Sequence, residues 1–412
     1  MKLLKILILT SLFPSLVFSI TNLSLKGYYK NFFVVFEQPV INLQIIQDQS
    51  RQQYFGMVDK RLRLQMVYSS KSWYSVAIAY DFSSRIQDAN LFSNSFFVNL
   101  SNPYVYRVAD INQRIFPDSE HPSTSFALYQ NLDRAFVTIS VPFADMYVGR
   151  QVIAWGSARV INPTDVIAPF AFNELDKEER FGVDALRIRV PLGFMGEFDT
   201  GYVFGKNFEF NKSVYYIRGK FFVSQTNITL LSLGFQENLL IGVDVARSIG
   251  GAGFWLEAAL VLPKALAKSN PDDMNNYFRS SIGLDYSLND KTYGFIEYHF
   301  NQAGAGSPQN YLSNLSHIAY TEGSVYLLGR HYLAPGVTYQ INPLITLTAT
   351  SLFNITDRSL YLAPSVEYNI AENIYVTAGA YAAFGKSIQD SRIRSEFGIY
   401  PNTFFTSFKI YF

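Results

Sequence analysis

The sequence predicts an all-β chain: one transmembrane, antiparallel, up-and-down β-barrel of about 18 strands, with 16 as the alternative count. Three observations predict it. Segments of alternating polarity recur along almost the whole chain, and period 2 is the side-chain repeat of a strand. The connections between these segments alternate between short and long. After the first 19 residues no apolar run approaches the length of a spanning helix, and a closed barrel is the other structure that satisfies its backbone in lipid.

Residues 1–19 have the pattern of a secretory signal peptide. Lys2 and Lys5 precede an apolar run from Ile6 to Phe18, and Val17-Phe18-Ser19 offers modest side chains to a peptidase. Cleavage is expected after Ser19, within about two residues, leaving 20–412 as a single barrel domain. The absence of cysteine excludes a lipid-anchored cysteine, a disulfide framework and thiolate metal sites. A net charge of +1 leaves no electrostatic footprint for nucleic acid. The aromatic content is the informative bias: 36 Phe and 28 Tyr against 3 Trp, residues that favour strands and membrane-interface girdles.

The expected strands begin with Leu23–Val35, Arg61–Tyr68 and Trp73–Phe82. Leu132–Val141, Met146–Ala154, Val183–Val190, Met195–Phe204, Val214–Val223 and Asn227–Phe235 follow. Then come Leu239–Ala246, Gly253–Leu262, Tyr277–Leu288, Thr292–Phe300, Leu328–Gln340 and Leu344–Phe353. Leu360–Asn369, Ile374–Phe384 and Thr403–Phe412 complete the set. Around Phe254–Lys268 the alanines would tolerate a helix, but Pro263 would break it, so a strand followed by a loop is expected.

Every even-numbered connection is short, from Ser69–Ser72 through Pro142–Ala144 to Ile370–Asn373. The odd-numbered set holds all the long ones, including Phe36–Lys60, Ser83–Asn131, Trp155–Gly182, Asn301–Tyr326 and Gly385–Asn402. Short periplasmic turns and longer outer loops sort this way in membrane barrels. An even strand count then leaves both termini periplasmic.

Strand faces predict the lumen. Arg61 and Arg63 oppose Leu62, Leu64 and Met66, and Arg187 and Arg189 oppose Leu186 and Ile188. Arg218 and Lys220 oppose Ile217 and Phe221, Glu297 and His299 oppose Ile296 and Tyr298, and Arg279 shares a side with Asp285. Arg or Lys on a lipid face near the midplane costs roughly 2–4 kcal/mol. These charges are therefore expected to line the pore.

The chain ends NTFFTSFKIYF, with Phe412, Ile410, Phe408 and Phe404 on one face and Lys409 and Ser407 on the other. This ending resembles the terminal strand of bacterial outer-membrane barrels. The resemblance implies that Phe412 is an assembly signal for a barrel assembly machinery, and the alternating loop lengths make this the last, even-numbered strand, which is expected to pair with the first near Leu23–Val35.

A second resemblance rests on the central stretch. It runs GRQ (Gly149–Gln151), Trp155-Gly156, Asn162-Pro163-Thr164-Asp165, then the acidic Glu174, Asp176, Glu178 and Glu179, then GVDALR (Gly182–Arg187). GYYKNFF (Gly27–Phe33), RLRLQ (Arg61–Gln65), GLDY (Gly283–Tyr286), GRHYL (Gly329–Leu333) and LAPSVEY (Leu362–Tyr368) belong to the same pattern. Together they resemble porin-like bacterial outer-membrane proteins of largely uncharacterised function. The resemblance implies the barrel class and leaves the solute open. In general porins the third outer loop folds inward. Trp155–Gly182 is expected to do the same, with Asp165, Glu174, Asp176, Glu178 and Glu179 as constriction residues facing Arg61, Arg63, Arg187 and Arg189. A solvated surface loop is the competing expectation.

No catalytic motif emerges. His121, His299, His317 and His331 form no metal-binding pair, and neither a Gly-x-Ser-x-Gly elbow nor a phosphate loop is present. No enzymatic activity and no cofactor are expected. The expected function is passive passage of small hydrophilic solutes through an outer-membrane pore, with weak anion preference. The alternative is an exporter or binding barrel for a polysaccharide or hydrophobic solute, plugged at rest. Outer-membrane lipid is the expected surrounding, and monomer and homotrimer both stay open.

Overall fold

The structure is a computed structural model that describes residues 22–37, 54–70, 73–88, 106–118, 120–121, 125–268, 275–323, 325–389 and 392–412. The expected signal peptide lies outside them. The strands are β1 (Leu23–Glu37), β2 (Tyr54–Ser69), β3 (Tyr74–Gln87), β4 (Arg114–Phe116), β5 (Phe126–Val141), β6 (Ala144–Gln151), β7 (Val183–Leu192), β8 (Gly196–Val203), β9 (Val214–Val223) and β10 (Thr226–Phe235). They continue as β11 (Asn238–Ile249), β12 (Ala252–Leu262), β13 (Tyr277–Asn289), β14 (Thr292–Asn301), β15 (His331–Asn342), β16 (Ile345–Asn354), β17 (Ser359–Ala371), β18 (Ile374–Phe384) and β19 (Asn402–Tyr411). All pairings between neighbours are antiparallel, and β19 pairs with β1, so the sheet closes on itself. β4 touches only β5, leaving 18 strands in the wall.

Turn chemistry explains one end. Gly250 and Gly251 both have positive φ, as the two-residue turn between β11 and β12 requires. Ser224 and Gln225 adopt the same backbone without glycine between β9 and β10. All the turns at this end are short, and β1 starts and β19 finishes there.

The strand limits depart from expectation where the reason is visible. β2 starts at Tyr54 rather than Arg61, and β3 runs to Gln87 rather than Phe82; the two pair as far as Met57 and Gln87. These extensions at the long-loop end mix polar and apolar residues without strict alternation. β15 starts at His331 rather than Leu328, because the Leu328 amide donates to the Glu396 carboxylate at 2.9 Å instead. β6 stops at Gln151, and beyond it the segment from Tyr106 to Phe116 patches the wall. Gln130 N donates to Gln113 O at 2.7 Å on the β5 side, and Asp184 N donates to Tyr106 O at 3.0 Å at the start of β7.

Polarity is inverted relative to a soluble domain. Leu64, Ile217, Leu230, Ile241, Leu284 and Ile296 are exposed on the outer face, while Lys30, Asp199, Glu257 and Glu297 point inward with no exposed surface. Such an outer face suits lipid. The long-loop half of the lumen is filled. Connections 152–182, 302–330 and 385–401 fold inside and contribute Ile153, Val166, Tyr311, Ala319, Leu328 and Ile393 to one apolar core with the inward faces of β7–β13. Two single-turn helices, α1 (Tyr311–Asn314) and α2 (Ile318–Thr321), belong to the second of these connections.

Candidate functional site: the inserted loop and the lumen beside it

The connection 152–182 leaves β6 and returns to β7, and between them it crosses the barrel. Its first half is held by two carboxylates on the far wall, each near the middle of its strand. Glu257 of β12 accepts hydrogen bonds from the amides of Ser157 (3.1 Å), Ala158 (3.2 Å) and Thr164 (2.9 Å) and from the Thr164 hydroxyl (2.6 Å). Glu297 of β14 accepts from the amides of Arg159 (2.7 Å), Val160 (3.2 Å) and Ile161 (3.0 Å) and from the Trp255 indole (3.0 Å). An ionised carboxylate has acceptor capacity for about four such bonds, so each acts as a receptor for loop backbone. Arg279 donates to Pro163 O at 2.7 Å, and Ser281 donates to Ile161 O at 2.6 Å. Within the loop, Asn162-Pro163-Thr164-Asp165 forms the expected turn, closed by Asp165 N to Asn162 O at 3.3 Å and by an Asp165–Arg180 ion pair.

The second half docks on the closing seam. The Tyr381 hydroxyl of β18 donates to Glu174 O at 2.8 Å. Lys30 of β1 pairs with Asp176 at 3.0 Å and with Glu178 at 2.6 Å, and Arg61 of β2 pairs with Asp176 at 3.1 Å. Glu178 also accepts from the Tyr411 hydroxyl of β19 at 2.7 Å, so one carboxylate ties both sides of the seam. Glu179 lies 3.6 Å from Arg63 and 3.4 Å from Arg134. Arg63 is bound more tightly to Asp81 (3.0 Å) and Asp133 (2.8 Å). Burial would raise the Asp176 carboxyl, but Lys30 and Arg61 outweigh it and hold the group below the usual range. Glu174 has no such partner set, and burial pushes it up.

These contacts place the expected residues. Asp176 meets Arg61 and Glu179 meets Arg63, but as contact ion pairs rather than as opposite walls of a gap, and Glu178 meets Lys30 instead. Arg187 and Arg189 do not meet the loop. Arg187 pairs with Asp199 at 2.6 Å, Arg189 with Glu197, and Arg218 with Glu197 at 3.0 Å, all within β7–β9. Lys220 sits half-buried on the same side and is in register with Glu197. Asp285 pairs with Arg159 at 2.7 Å and accepts from the Tyr293 hydroxyl at 2.9 Å. Arg279 and Glu297 face inward but lie buried under the loop. Phe412 N donates to Gly27 O at 3.0 Å, and Gly27 N donates to Phe412 O at 2.7 Å, which extends the seam by one residue.

Sequence reasoning passed over Lys30, Asp133, Arg134 and Glu257. Lys30 and Glu257 carried a signal: each is a lone charge within an apolar strand segment, YYKNFF and FWLEAAL.

Beside the loop lies a cavity of about 770 Å3 bounded by the loop and by strands β14 and β16–β19, with Phe32 of β1 and Arg279 of β13. No protein-family model matches the chain, and no curated protein matches it. Among solved structures it resembles OccAB3 of Acinetobacter baumannii, with a TM-score of 0.54 at 9% identity over 95% of this chain and 100% of that one. OccAB4 of the same organism gives a TM-score of 0.53 at 9% identity over 95% of this chain and 99% of that one. The fold is porin-like. A mutant of the Rhodobacter blastica porin gives a weaker likeness, with a TM-score of 0.44 at 12% identity over 95% of this chain and 100% of that one. At such identities the likeness carries the fold alone. In this porin-like barrel the inserted loop and the cavity beside it form the candidate site.

Proposed function

We propose that the chain is a channel, not an enzyme, in the outer membrane of a Gram-negative-type bacterium, with both termini periplasmic. It gives small hydrophilic solutes passive passage, and loop 152–182 is its constriction. The observation that carries this reading is the loop itself. It spans the lumen near mid-height, is tied to β1, β2, β12, β14 and β18, and leaves a cavity of mixed polarity beside it. Weak anion preference is proposed from the inward sector of β7–β9, where Arg187, Arg189, Arg218 and Lys220 outnumber Glu197 and Asp199 on those strands, with Asp145 of β6 and Asp244 of β11 flanking them. Phe412, at the end of the seam, is proposed as the signal read by the barrel assembly machinery.

The test is planar-bilayer recording of the wild type and of a Glu174–Glu179 deletion. The deletion is expected to raise single-channel conductance, and reversal potentials in a KCl gradient are expected to show weak chloride preference. Unchanged conductance would sink the constriction, and clear cation preference would sink the selectivity. A second reading, a barrel plugged at rest that opens for a ligand, is favoured by the apolar core filling the long-loop half. Absence of any conductance without ligand would select it.

A further inference from the structure

The cavity beside the loop has a wall whose chemistry is not that of an ion path. Its β16–β19 side is a field of hydroxyls. Thr348 of β16 is directly across from Ser365 of β17, Thr377 of β18 is directly across from Ser407 of β19, and Thr350 lies one inward step along from Thr348. The Ser407 hydroxyl has no hydrogen-bond partner among the described residues, although Ser407 is only 2% exposed and lines the cavity. A buried hydroxyl left unpaired costs free energy that a ligand hydroxyl would recover.

Two aromatic rings flank this field, and both are laid against the wall by the same device. Phe295 of β14 is directly across from Gly336 of β15, where a Cβ would meet the Phe295 ring at 2.1 Å. Phe405 of β19 is directly across from Gly379 of β18, where a Cβ would meet the Phe405 ring at 2.6 Å. A ring resting on a glycine puts one face on the sheet; Phe295 turns its other face to the lumen, whereas Phe405 is 9% exposed and packs against Tyr381 at a centroid distance of 5.5 Å. Both rings line the cavity. The glycines that carry them are separated by three strand-to-strand steps, about 14 Å of wall. Trp255 lies over Gly283 in the same manner, but it is covered by the inserted loop.

Apart from the Glu174 carboxyl, which faces Lys177 and Arg180 without a direct ion pair, the charges around the cavity are already engaged. Arg159 pairs with Asp285, Arg180 with Asp165, and Lys409 approaches Glu367 at 3.8 Å. Lys177 donates to Phe172 O at 2.8 Å, and Arg279 donates to Pro163 O. What remains for a ligand is a hydroxyl surface beside the Phe295 face, with Glu174 at its edge. The volume lies within the range of about 300–1,000 Å3 usual for small-molecule sites.

We infer that this cavity is a binding subsite for an uncharged polyhydroxylated ring solute, a mono- or disaccharide. Its hydroxyls exchange hydrogen bonds with Thr348, Thr350, Ser365 and Ser407, it donates to Thr377, whose own hydroxyl is given to Glu367 at 3.3 Å, and its C–H face stacks on Phe295. The inference rests on the proposed passage, because the cavity lies on its path.

The test uses the full chain in planar bilayers with sucrose as probe. Gluconate and a polyethylene glycol of equal hydrodynamic radius serve as controls. Sucrose is expected to reduce the ionic current saturably, whereas the glycol lowers it only in line with bulk conductivity. Thr350→Val, Ser407→Ala and Phe295→Leu are each expected to weaken the block about threefold to tenfold, scaled to each variant's own open current. Phe295→Leu keeps an apolar cover on Gly336, and the hydroxyl variants leave both rings in place, so one misfolded variant does not remove the test. Sucrose indistinguishable from the glycol, or gluconate binding as tightly as sucrose, would overturn the subsite. If the protein conducts nothing, equilibrium dialysis of detergent-solubilised protein against radiolabelled sucrose decides. Saturable retention upholds the subsite while the passage reading falls, and no retention overturns it.

Discussion

At the scale of single residues, the chemistry that matters is charge and shape placed inside a strand. Lys30 is fully buried, yet it reaches two carboxylates and lies 4.2 Å from the centre of the Tyr28 ring. Removing one member of such a buried set leaves the others uncompensated, which is the costly case for ion pairs. Part of this was legible, since alternation alone put Arg61 and Arg63 on the inner face. The partners were not legible. Asp176 is 146 residues from Lys30 in sequence, and only the closed seam brings them together. Phe412 poses a separate question of shape. A Cβ on Gly27 would lie 2.6 Å from both the Arg63 carbonyl oxygen and the Phe412 ring, so glycine is needed where the β2 backbone and the terminal ring close in. Deleting Phe412, or replacing Gly27 with Val, is expected to lower the yield of folded barrel in a heat-modifiability gel. The barrels that do form should conduct as the wild type does. A normal yield with altered conductance would remove Phe412 from assembly.

At the scale of elements, the strands were legible because lipid on one side and a polar or packed interior on the other impose period 2. β9 and β18 match their expected limits for that reason. Legibility failed where that contrast is absent: in the extensions of β2 and β3, in β4, and in the connections inside the lumen. The loop 152–182 was legible as an acidic insertion but not in how it is held. Its main supports are backbone amides on Glu257 and Glu297, and a backbone amide leaves no mark in a side-chain pattern. The aromatic–glycine pairs were hidden in the same way, because they depend on register between strands. With both carboxylates removed, each stranded amide costs about 1–3 kcal/mol if it stays buried, so the loop should leave the wall. The double variant Glu257→Ala, Glu297→Ala is expected to become sensitive to trypsin at Arg159 or Lys177 and to conduct severalfold better in planar bilayers. Retained resistance and conductance would mean that the seam contacts alone seat the loop.

At the scale of the molecule, the two halves of the lumen differ in kind. The short-turn half holds the hydroxyl field and the paired charges, and the long-loop half is a packed apolar core. Within that core the loop 385–401 is pinned at Glu396. The carboxylate accepts from the Leu328 amide (2.9 Å), the Tyr332 hydroxyl (2.5 Å) and Asn354 (2.7 Å), while the Glu396 amide donates to Asp357 (2.6 Å). Burial pushes the Glu396 carboxyl up to about 7 from an ordinary 4.5. Asp357 adds to the rise, and the Tyr332, Leu328 and Asn354 donors oppose it. A carboxyl that binds its proton more tightly when the loop is seated favours the seated state at low pH. That advantage is complete below about 4.5, declines as pH rises through the interval to about 7, and is gone above it. Its full size is on the order of 3 kcal/mol. If the seated loops restrict the path, conductance is expected to rise between pH 5 and pH 8, and Glu396→Gln should flatten that rise. A wild-type conductance that is level across this window, recorded beside a level Glu396→Gln profile, would mean that loop 385–401 does not gate the path.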